Sequence, residues 1–162
     1  MVFGYKCFNS DLTNCYNFKF KLGNSYHIDG TIKFGIDGNG FHMCERLEDT
    51  LRYFGSMNID ISICEVVGSG DIVTYSDDYN EYYDMYSVSD IKIIRKLERD
   101  EIIHMMLNVN ENRVIRFIQF FKLLDEEIDM FEKKFCKNEM IINTLNYYQK
   151  GEKNAYSKKY IK

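Results

Sequence analysis

The hydrophobic periodicity changes near residue 97, and this change limits the folds available to the chain. Before it, apolar and polar residues alternate, as over Ile59–Val67, which is typical of half-buried strands. After it, apolar residues recur at three- and four-residue steps, which is typical of helices. The pattern predicts an α+β protein with a small, mostly antiparallel sheet over residues 1–97, helices over 98–150 and a basic tail over 151–162.

Turn residues divide the sheet region into short candidate strands. Tyr16–Phe20 alternates and is a predicted strand, and Tyr26–Ile28 and Thr31–Phe34 are predicted to pair. Asp29-Gly30 lies between that pair and favours a tight hairpin turn, because it tolerates a positive φ. Ile72–Tyr75 is expected to continue the sheet. Tyr75–Asp90 follows, and because Asp71–Asp90 contains six acids and no base, a solvated loop with some inward-packed tyrosines is expected there, with a tyrosine-lined pocket as the alternative.

A glycine-punctuated loop, a strand and a helix follow one another over Gly35–Phe54. Phe41–Cys44 is the predicted strand, and His42 shares a face with Cys44 because alternate residues of a strand point to the same side. From Glu45 the apolar residues take helical spacing, and acids crowd the first turns. The region predicts one helix inside the sheet domain and a good place to present a site.

The C-terminal part is predicted to form a helical hairpin. One long helix is predicted across an aromatic stripe made of Phe117, Phe121, Leu124, Ile128, Phe131 and Phe135, and a shorter helix follows over Met140–Tyr148. The hairpin is expected either to pack on the sheet or to pair with a second copy. The residues expected to form a homodimer contact are Phe117, Phe121, Leu124, Ile128 and Phe131.

Composition excludes several classes of protein. A chain of 162 residues with 45% hydrophobic and 15% aromatic content is long and apolar enough for one globular core. The net charge of −4 gives no strongly basic surface, so no nucleic-acid partner is expected. No run approaches the ~20 apolar residues of a membrane span. Five cysteines without CxxC spacing predict reduced thiols and a cytosolic protein.

Familiar catalytic motifs are missing from the sequence. It has no Walker loop, no dinucleotide-binding GxGxxG between strand and helix, no HExxH and no GxSxG. A zinc site can be assembled from Cys7, Cys15, His42 and Cys44, but no pair among them has the usual chelate spacing. The prediction is therefore that the protein holds no metal.

One resemblance covers about three fifths of the chain. Its most specific element is Gly40-Phe41-His42-Met43-Cys44, with Lys6-Cys7-Phe8-Asn9 before it and Cys64-Glu65-Val66 after it. Over residues 4–97 the chain resembles a family of short proteins from phages, prophages and large DNA viruses that have no established activity. The resemblance implies a viral or mobile-element origin.

A fainter resemblance implies a mechanism. The strand with His42 and the helix with Thr50 and Tyr53 resemble the nicotinamide-pocket strand and helix of the ADP-ribosyltransferase fold. Glu81 falls where that family carries its catalytic glutamate. By this resemblance His42, Thr50 and Tyr53 would bind NAD, and Glu81 would stabilise the oxocarbenium-like transition state as nicotinamide leaves. The first strand departs from the family, because it has Tyr5-Lys6 where a histidine or arginine precedes a glycine.

Two functions of different class stay open at this point. The first is a non-catalytic protein-interaction module of viral or phage type, acting without a cofactor in the host cytosol or the virion. The second is an NAD-binding enzyme of ADP-ribosyltransferase type that modifies a host macromolecule. Whether the chain is an enzyme is not decided by its residues alone.

Overall fold

The computed structural model describes residues 1–34, 38–53, 60–77 and 80–151, except for the side chains of residues 53, 76, 77 and 80–84. Five strands and five helices lie in these ranges. The strands are β1 (Val2–Asn9), β2 (Ser25–His27), β3 (Phe41–Cys44), β4 (Ile61–Asp77) and β5 (Asn80–Lys96). The helices are α1 (Leu47–Thr50), α2 (Arg99–Met106), α3 (Glu111–Phe120), α4 (Asp125–Lys134) and α5 (Glu139–Tyr148). The α+β prediction is confirmed.

The antiparallel pairings close into a ring. β1 runs beside β4 along its whole length, from Val2 opposite Gly68 to Asn9 opposite Ile61. β4 and β5 form a long hairpin, and β3 lies between β5 and β1. The ring therefore runs β1, β4, β5, β3 and back to β1, while β2 adds to β5 next to β3.

The sheet unit has an aromatic and aliphatic core. Because alternate residues of a strand point to one side, Cys64 and Val66 of β4 both enter this core, as do Ile91 and Ile93 of β5. Partly buried side chains, including Tyr26 and Ile72, pack around this core. The buried core residues are Phe8, Phe20, Met43, Cys64, Val66, Val88, Ile91 and Ile93.

The structure corrects three local predictions in the sheet unit. Tyr16–Phe20 is not a strand, and only an isolated bridge joins Thr13 to Lys19. Thr31–Phe34 forms no hairpin with β2, which pairs with β5 instead. The acid-rich segment is not a loop, because its described residues extend β4 and β5. In each case long-range pairing and burial outweighed the local signal.

A helical unit follows from Arg99, after the compact unit that contains the described residues of Met1–Phe54 and Asp60–Glu98. The predicted long helix is wrong, since α3 ends at Phe120 and α4 begins at Asp125. The link between them is held by the buried Gln149, whose side-chain amide donates to the carbonyls of Ile118 and Phe121 and accepts from the Leu123 N–H. The predicted second helix is confirmed as α5.

The aromatic stripe is mostly core within the chain. Phe117, Phe121, Ile128 and Phe131 are buried, and Leu124 is 38% exposed. Four of the five residues expected at a dimer contact are therefore covered in a single chain. Self-association stays a prediction. Because these four side chains are buried in the single chain, they are not accessible to a second copy.

Within the described ranges no helix is long and apolar enough to cross a membrane. The predicted basic tail lies, from residue 152 onward, outside the described residues.

Candidate functional site

The predicted site begins on β3, where His42 lies opposite Ser87 of β5. Gly40 leads into this strand with a φ of +129°, a conformation that side chains disfavour. A Cβ atom at Gly40 would also collide with the Ser87 hydroxyl. The glycine therefore lets the loop approach β5 closely and enter β3 at this angle.

The His42 ring lies in a mostly apolar setting. It stacks on Phe34 with 5.2 Å between ring centroids and 5° between ring planes, and Phe34 in turn contacts Tyr75 at 5.3 Å. Its Nε2 atom is buried and has no hydrogen-bond partner among the described residues. Burial, followed by the charge of Lys6, lowers the pKa of His42, which favours the neutral ring.

Lys6 of β1 approaches His42 from the neighbouring strand. Its Nζ donates to the His42 carbonyl oxygen at 2.6 Å and lies 5.7 Å from the centre of the Phe8 ring. Burial lowers the pKa of Lys6, and the nearby cysteines oppose that shift. No place in a site was assigned to this lysine from the sequence, whereas the structure places its ammonium group against the β3 backbone.

Thr50 and Tyr53 follow on the short helical segment after β3. Thr50 is buried, and its hydroxyl donates to the Leu47 carbonyl oxygen at 2.7 Å, within its own helix. Tyr53 ends a 3₁₀ turn, and its side chain is not among those described. The structure therefore places His42, Thr50 and Tyr53 on one continuous strand and helix segment.

Glu81 lies far along β5 from these residues. The strand register puts Ser87 opposite His42, and Glu81 is six residues away from Ser87 near the hairpin tip. An extended strand rises about 3.3 Å per residue, so the separation along the strand is on the order of 20 Å. The Glu81 side chain is outside the described part, and the strand register does not bring its backbone next to His42.

The buried cysteines are poor nucleophiles. Burial raises the pKa of Cys7 and of Cys44 to about 12 and that of Cys64 to about 11, so their thiols are protonated at neutral pH. Across the parts of the chain that the structure describes, no group of three or more histidine, cysteine or acidic side chains is arranged to hold a metal ion.

A second feature lies on the β4–β5 hairpin, where the sheet has an open edge. β4 pairs with β1 only as far as Gly68, and from Ile72 to Tyr75 it pairs with β5 alone. Among the described residues, no strand pairs with this part of β4 on the side away from β5. Backbone N–H and C=O groups on such a side can accept another strand.

The open edge begins at a bulge and is anchored to the core. The register between β4 and β5 shifts between Ser69 and Ile72, and the Asp71 N–H donates to the Ser89 hydroxyl at 2.9 Å. Ile72 packs against the core of the sheet unit. The edge is therefore held in an extended form by contacts within the sheet unit.

A family model matches residues 2–105, which is more than half of the chain. The chain belongs to that family, Domain of unknown function (DUF7666). The DUF7666 match includes all five strands and therefore both features described above, whereas α3, α4 and α5 lie beyond it. No curated protein and no solved structure matches the chain.

Proposed function

We propose that this protein is a non-catalytic protein-interaction module, and that β4 binds an extended segment of a partner protein at its open edge. The observation that carries the proposal is the one-sided pairing of β4 from Ile72 to Tyr75. Strand addition to an exposed sheet edge is a recurring way in which proteins recognise peptides. The segment is ordered by β5 and by the packing of Ile72, which lowers the entropic cost of binding.

Side chains on the hairpin are expected to add specificity. Pairing along Ile72–Tyr75 would add about four main-chain hydrogen bonds at about 1 kcal/mol each, whereas micromolar binding needs about 8 kcal/mol. Val73 is half-buried and Tyr75 is 42% exposed, so both leave surface for a partner. The resemblance to phage and viral proteins supports an accessory role in a virus or mobile element.

The test selects peptides from a random library displayed on phage, with the wild-type protein as bait. Successive N–H groups of a strand point to opposite sides, so one of Val73 and Thr74 directs its N–H to the open side. Val73→Pro and Thr74→Pro are therefore made as two separate single variants. The variant that retains the wild-type circular dichroism spectrum blocks the edge without breaking the hairpin.

We expect enriched peptides to bind the wild type and to lose at least about tenfold in affinity for the edge-blocking variant. Each peptide is also made with N-methyl groups on its odd residues or on its even residues. Only the form that loses the main-chain N–H groups facing β4 should bind more weakly. The proposal fails if no peptide is enriched on the wild type relative to the edge-blocking variant.

A second candidate function is NAD binding by a transferase-like site. The buried, unpartnered Nε2 atom of His42 and the continuous segment that carries His42, Thr50 and Tyr53 favour it. Titration calorimetry of NAD into the wild type, Tyr53→Ala and Glu81→Ala tests it. Binding that Tyr53→Ala abolishes would support a nicotinamide pocket, and NAD turnover that Glu81→Ala abolishes would support an enzyme. No heat at millimolar NAD would exclude both.

A further inference from the structure

A row of three aromatic rings ends at the open edge of β4. His42 of β3 stacks on Phe34 with 5.2 Å between ring centroids, and Phe34 contacts Tyr75 at 5.3 Å. Tyr75 is the last residue of the open edge and is 42% exposed. The row therefore leads from β3 to the strand at which a partner would pair, and its last residue keeps surface for that partner.

The strand register places this row on one face of the sheet. His42 lies opposite Ser87 of β5, and Ser87 lies opposite Val73 of β4. Directly opposite residues share a face, and so do residues two apart on one strand, so Tyr75 lies on the face of His42. Because β5 runs between β3 and β4, the Phe34 ring spans β5 on this face, where the buried Ser87 side chain is small.

The inner end of the row is an uncharged ring. Burial, followed by the charge of Lys6, lowers the pKa of His42, so the imidazole is neutral near pH 7. Phe34 is half-buried, and the planes of the two rings are 5° apart. This neutral stacked pair makes the row an apolar surface, which favours an aromatic neighbour over a charged one.

A strand added at the open edge would place one side chain beside the exposed ring of Tyr75. Directly opposite residues of antiparallel strands have Cβ atoms about 4.5–5.5 Å apart. An aromatic side chain at that position therefore comes within the separation of about 4.5–7 Å at which two rings pair. Ring pairing adds binding energy beyond the area that it buries, whereas the main-chain hydrogen bonds of the edge are the same for every partner sequence. The residue opposite Tyr75 can thus distinguish one partner from another.

We infer that the partner segment carries an aromatic side chain opposite Tyr75, which extends the row of His42, Phe34 and Tyr75 to a fourth ring. This inference rests on the proposed function, because it specifies one residue of the segment that would bind the same edge. The backbone of Ile72–Tyr75 supplies the part of the binding that does not depend on sequence. Tyr75, held by Phe34, supplies the part that selects the partner.

The first experiment repeats the display selection on three baits, which are the wild type, Tyr75→Leu and Tyr147→Leu. Tyr147 of α5 is 54% exposed and contacts a neighbouring tyrosine ring, so its replacement removes a comparable tyrosine from the helical unit. Circular dichroism checks that each bait is folded. We expect the wild type and Tyr147→Leu to enrich peptides with phenylalanine, tyrosine or tryptophan at one shared position. Tyr75→Leu should still enrich peptides, but without that preference.

The second experiment separates ring pairing from simple burial of apolar surface. The most enriched wild-type peptide is synthesised with tryptophan, phenylalanine or cyclohexylalanine, which has a saturated ring, at the shared position. The chain contains no tryptophan, so tryptophan fluorescence reports only on the peptide, and its displacement gives the dissociation constants of the other two. Tryptophan emission should move to shorter wavelength on binding, because the ring leaves water.

The measured quantity is the ratio of the affinities for the phenylalanine and cyclohexylalanine peptides. We expect the wild type to bind the phenylalanine peptide about three- to tenfold more tightly. Tyr75→Leu and Phe34→Leu should bring this ratio close to one, and Tyr75→Phe should keep it. A variant that only weakened the fold would lower both affinities together and leave the ratio unchanged.

Failure of this inference can be told apart from failure of the proposed function. Enriched peptides that share no aromatic position, or a ratio near one in the wild type, would overturn the aromatic partner residue, and loss of binding in the edge-blocking variant would leave strand addition standing. A ratio that persists in Tyr75→Leu would also overturn it, because the ring would then pair elsewhere. If no enriched peptide depends on the edge, both proposals fall. A dimer in light scattering that both Tyr75→Leu and the edge-blocking variant dissociate would show that a second copy occupies the edge, and would overturn the partner peptide.

Discussion

His27 and Asp90 lie directly opposite each other on β2 and β5, with 2.8 Å between Nδ1 and a carboxylate oxygen. The other ring nitrogen, Nε2, lies 3.2 Å from a carboxylate oxygen of Asp29. A neutral imidazole has one N–H, whereas two carboxylates need two donors, so both contacts are hydrogen bonds only when the ring is protonated. Lys92 lies two residues from Asp90 on β5, and Asp71 lies on the adjacent bulge of β4.

The first prediction concerns the pH dependence of this contact. The hydrogen bond to Asp90, and then that to Asp29, raises the pKa of His27 above its ordinary value. A raised pKa means that the stabilisation is fully present below the unfolded value of about 6.5 and is lost as pH rises through the folded-state pKa. The wild type should therefore exceed His27→Gln in melting temperature by more at about pH 6 than at about pH 8.5.

An NMR titration supplies the control for this prediction. The ring protons of His27 should titrate above about 6.5 in the wild type, and Asp90→Asn should move that midpoint down because it removes the nearer carboxylate. Equal midpoints in the two proteins would contradict the assignment of the shift to Asp90.

The second prediction concerns Gly40. Gly40→Ala should lower the free energy of unfolding by at least about 2 kcal/mol, because it adds both backbone strain and a collision with Ser87. Gly23→Ala is the matched control, since Gly23 also has a positive φ but has no atom within 4 Å of an added Cβ. Urea unfolding of the two variants measures the difference. Equal losses would mean that the approach to Ser87 is not tight.

The third prediction concerns the pair formed by Arg99 and Glu127 in the helical unit. Arg99 makes two hydrogen bonds to the Glu127 carboxylate, at 2.7 and 2.8 Å, and its guanidinium lies 4.8 Å from the centre of the Phe121 ring. Glu127 is 6% exposed, so Glu127→Ala leaves a cation without its partner. We expect a loss of about 2 kcal/mol in thermal or urea unfolding, discounted for the partly exposed Arg99.

Glu132→Gln on the same helix is the control for that measurement. Its partner is Lys150 at 2.6 Å, and both side chains are about a third exposed. Such surface pairs contribute about 0.5 kcal/mol, so this variant should unfold close to the wild type. A similar loss in both variants would show that charge balance, and not the buried contact, controls stability.

The fourth prediction concerns the thiols. Cys15 and Cys136 are exposed, whereas Cys7, Cys44 and Cys64 are buried. Iodoacetamide at neutral pH should therefore label the two exposed cysteines first, and the buried three only after unfolding, since the thiolate is the reactive form. Peptide mass mapping reads the order of labelling. Early labelling of Cys44 would point to an accessible thiolate beside His42.

The residues alone determined the class of the fold. The change of period near residue 97 predicted a sheet followed by helices, and Gly30 and Gly40 have the positive φ values that their place in turns implied. Alternation likewise predicted β3, and the spacing after Met140 predicted α5. These signals are local, because steric limits and side-chain direction act within a few residues.

Only the tertiary structure decided which distant segments pair or make contact. β2 pairs with β5, and Tyr26 of β2 packs on Phe20. The acid-rich segment becomes strand because β4 and β5 satisfy each other's backbone groups. In the helical unit, Gln149 holds the link between α3 and α4 from a distance in the chain. The placement of Lys6 against β3, the separation of Glu81 from His42 and the open edge of β4 also depend on register. Register depends on which buried surfaces of distant segments fit together. The local patterns of a single sequence do not show which segments these are.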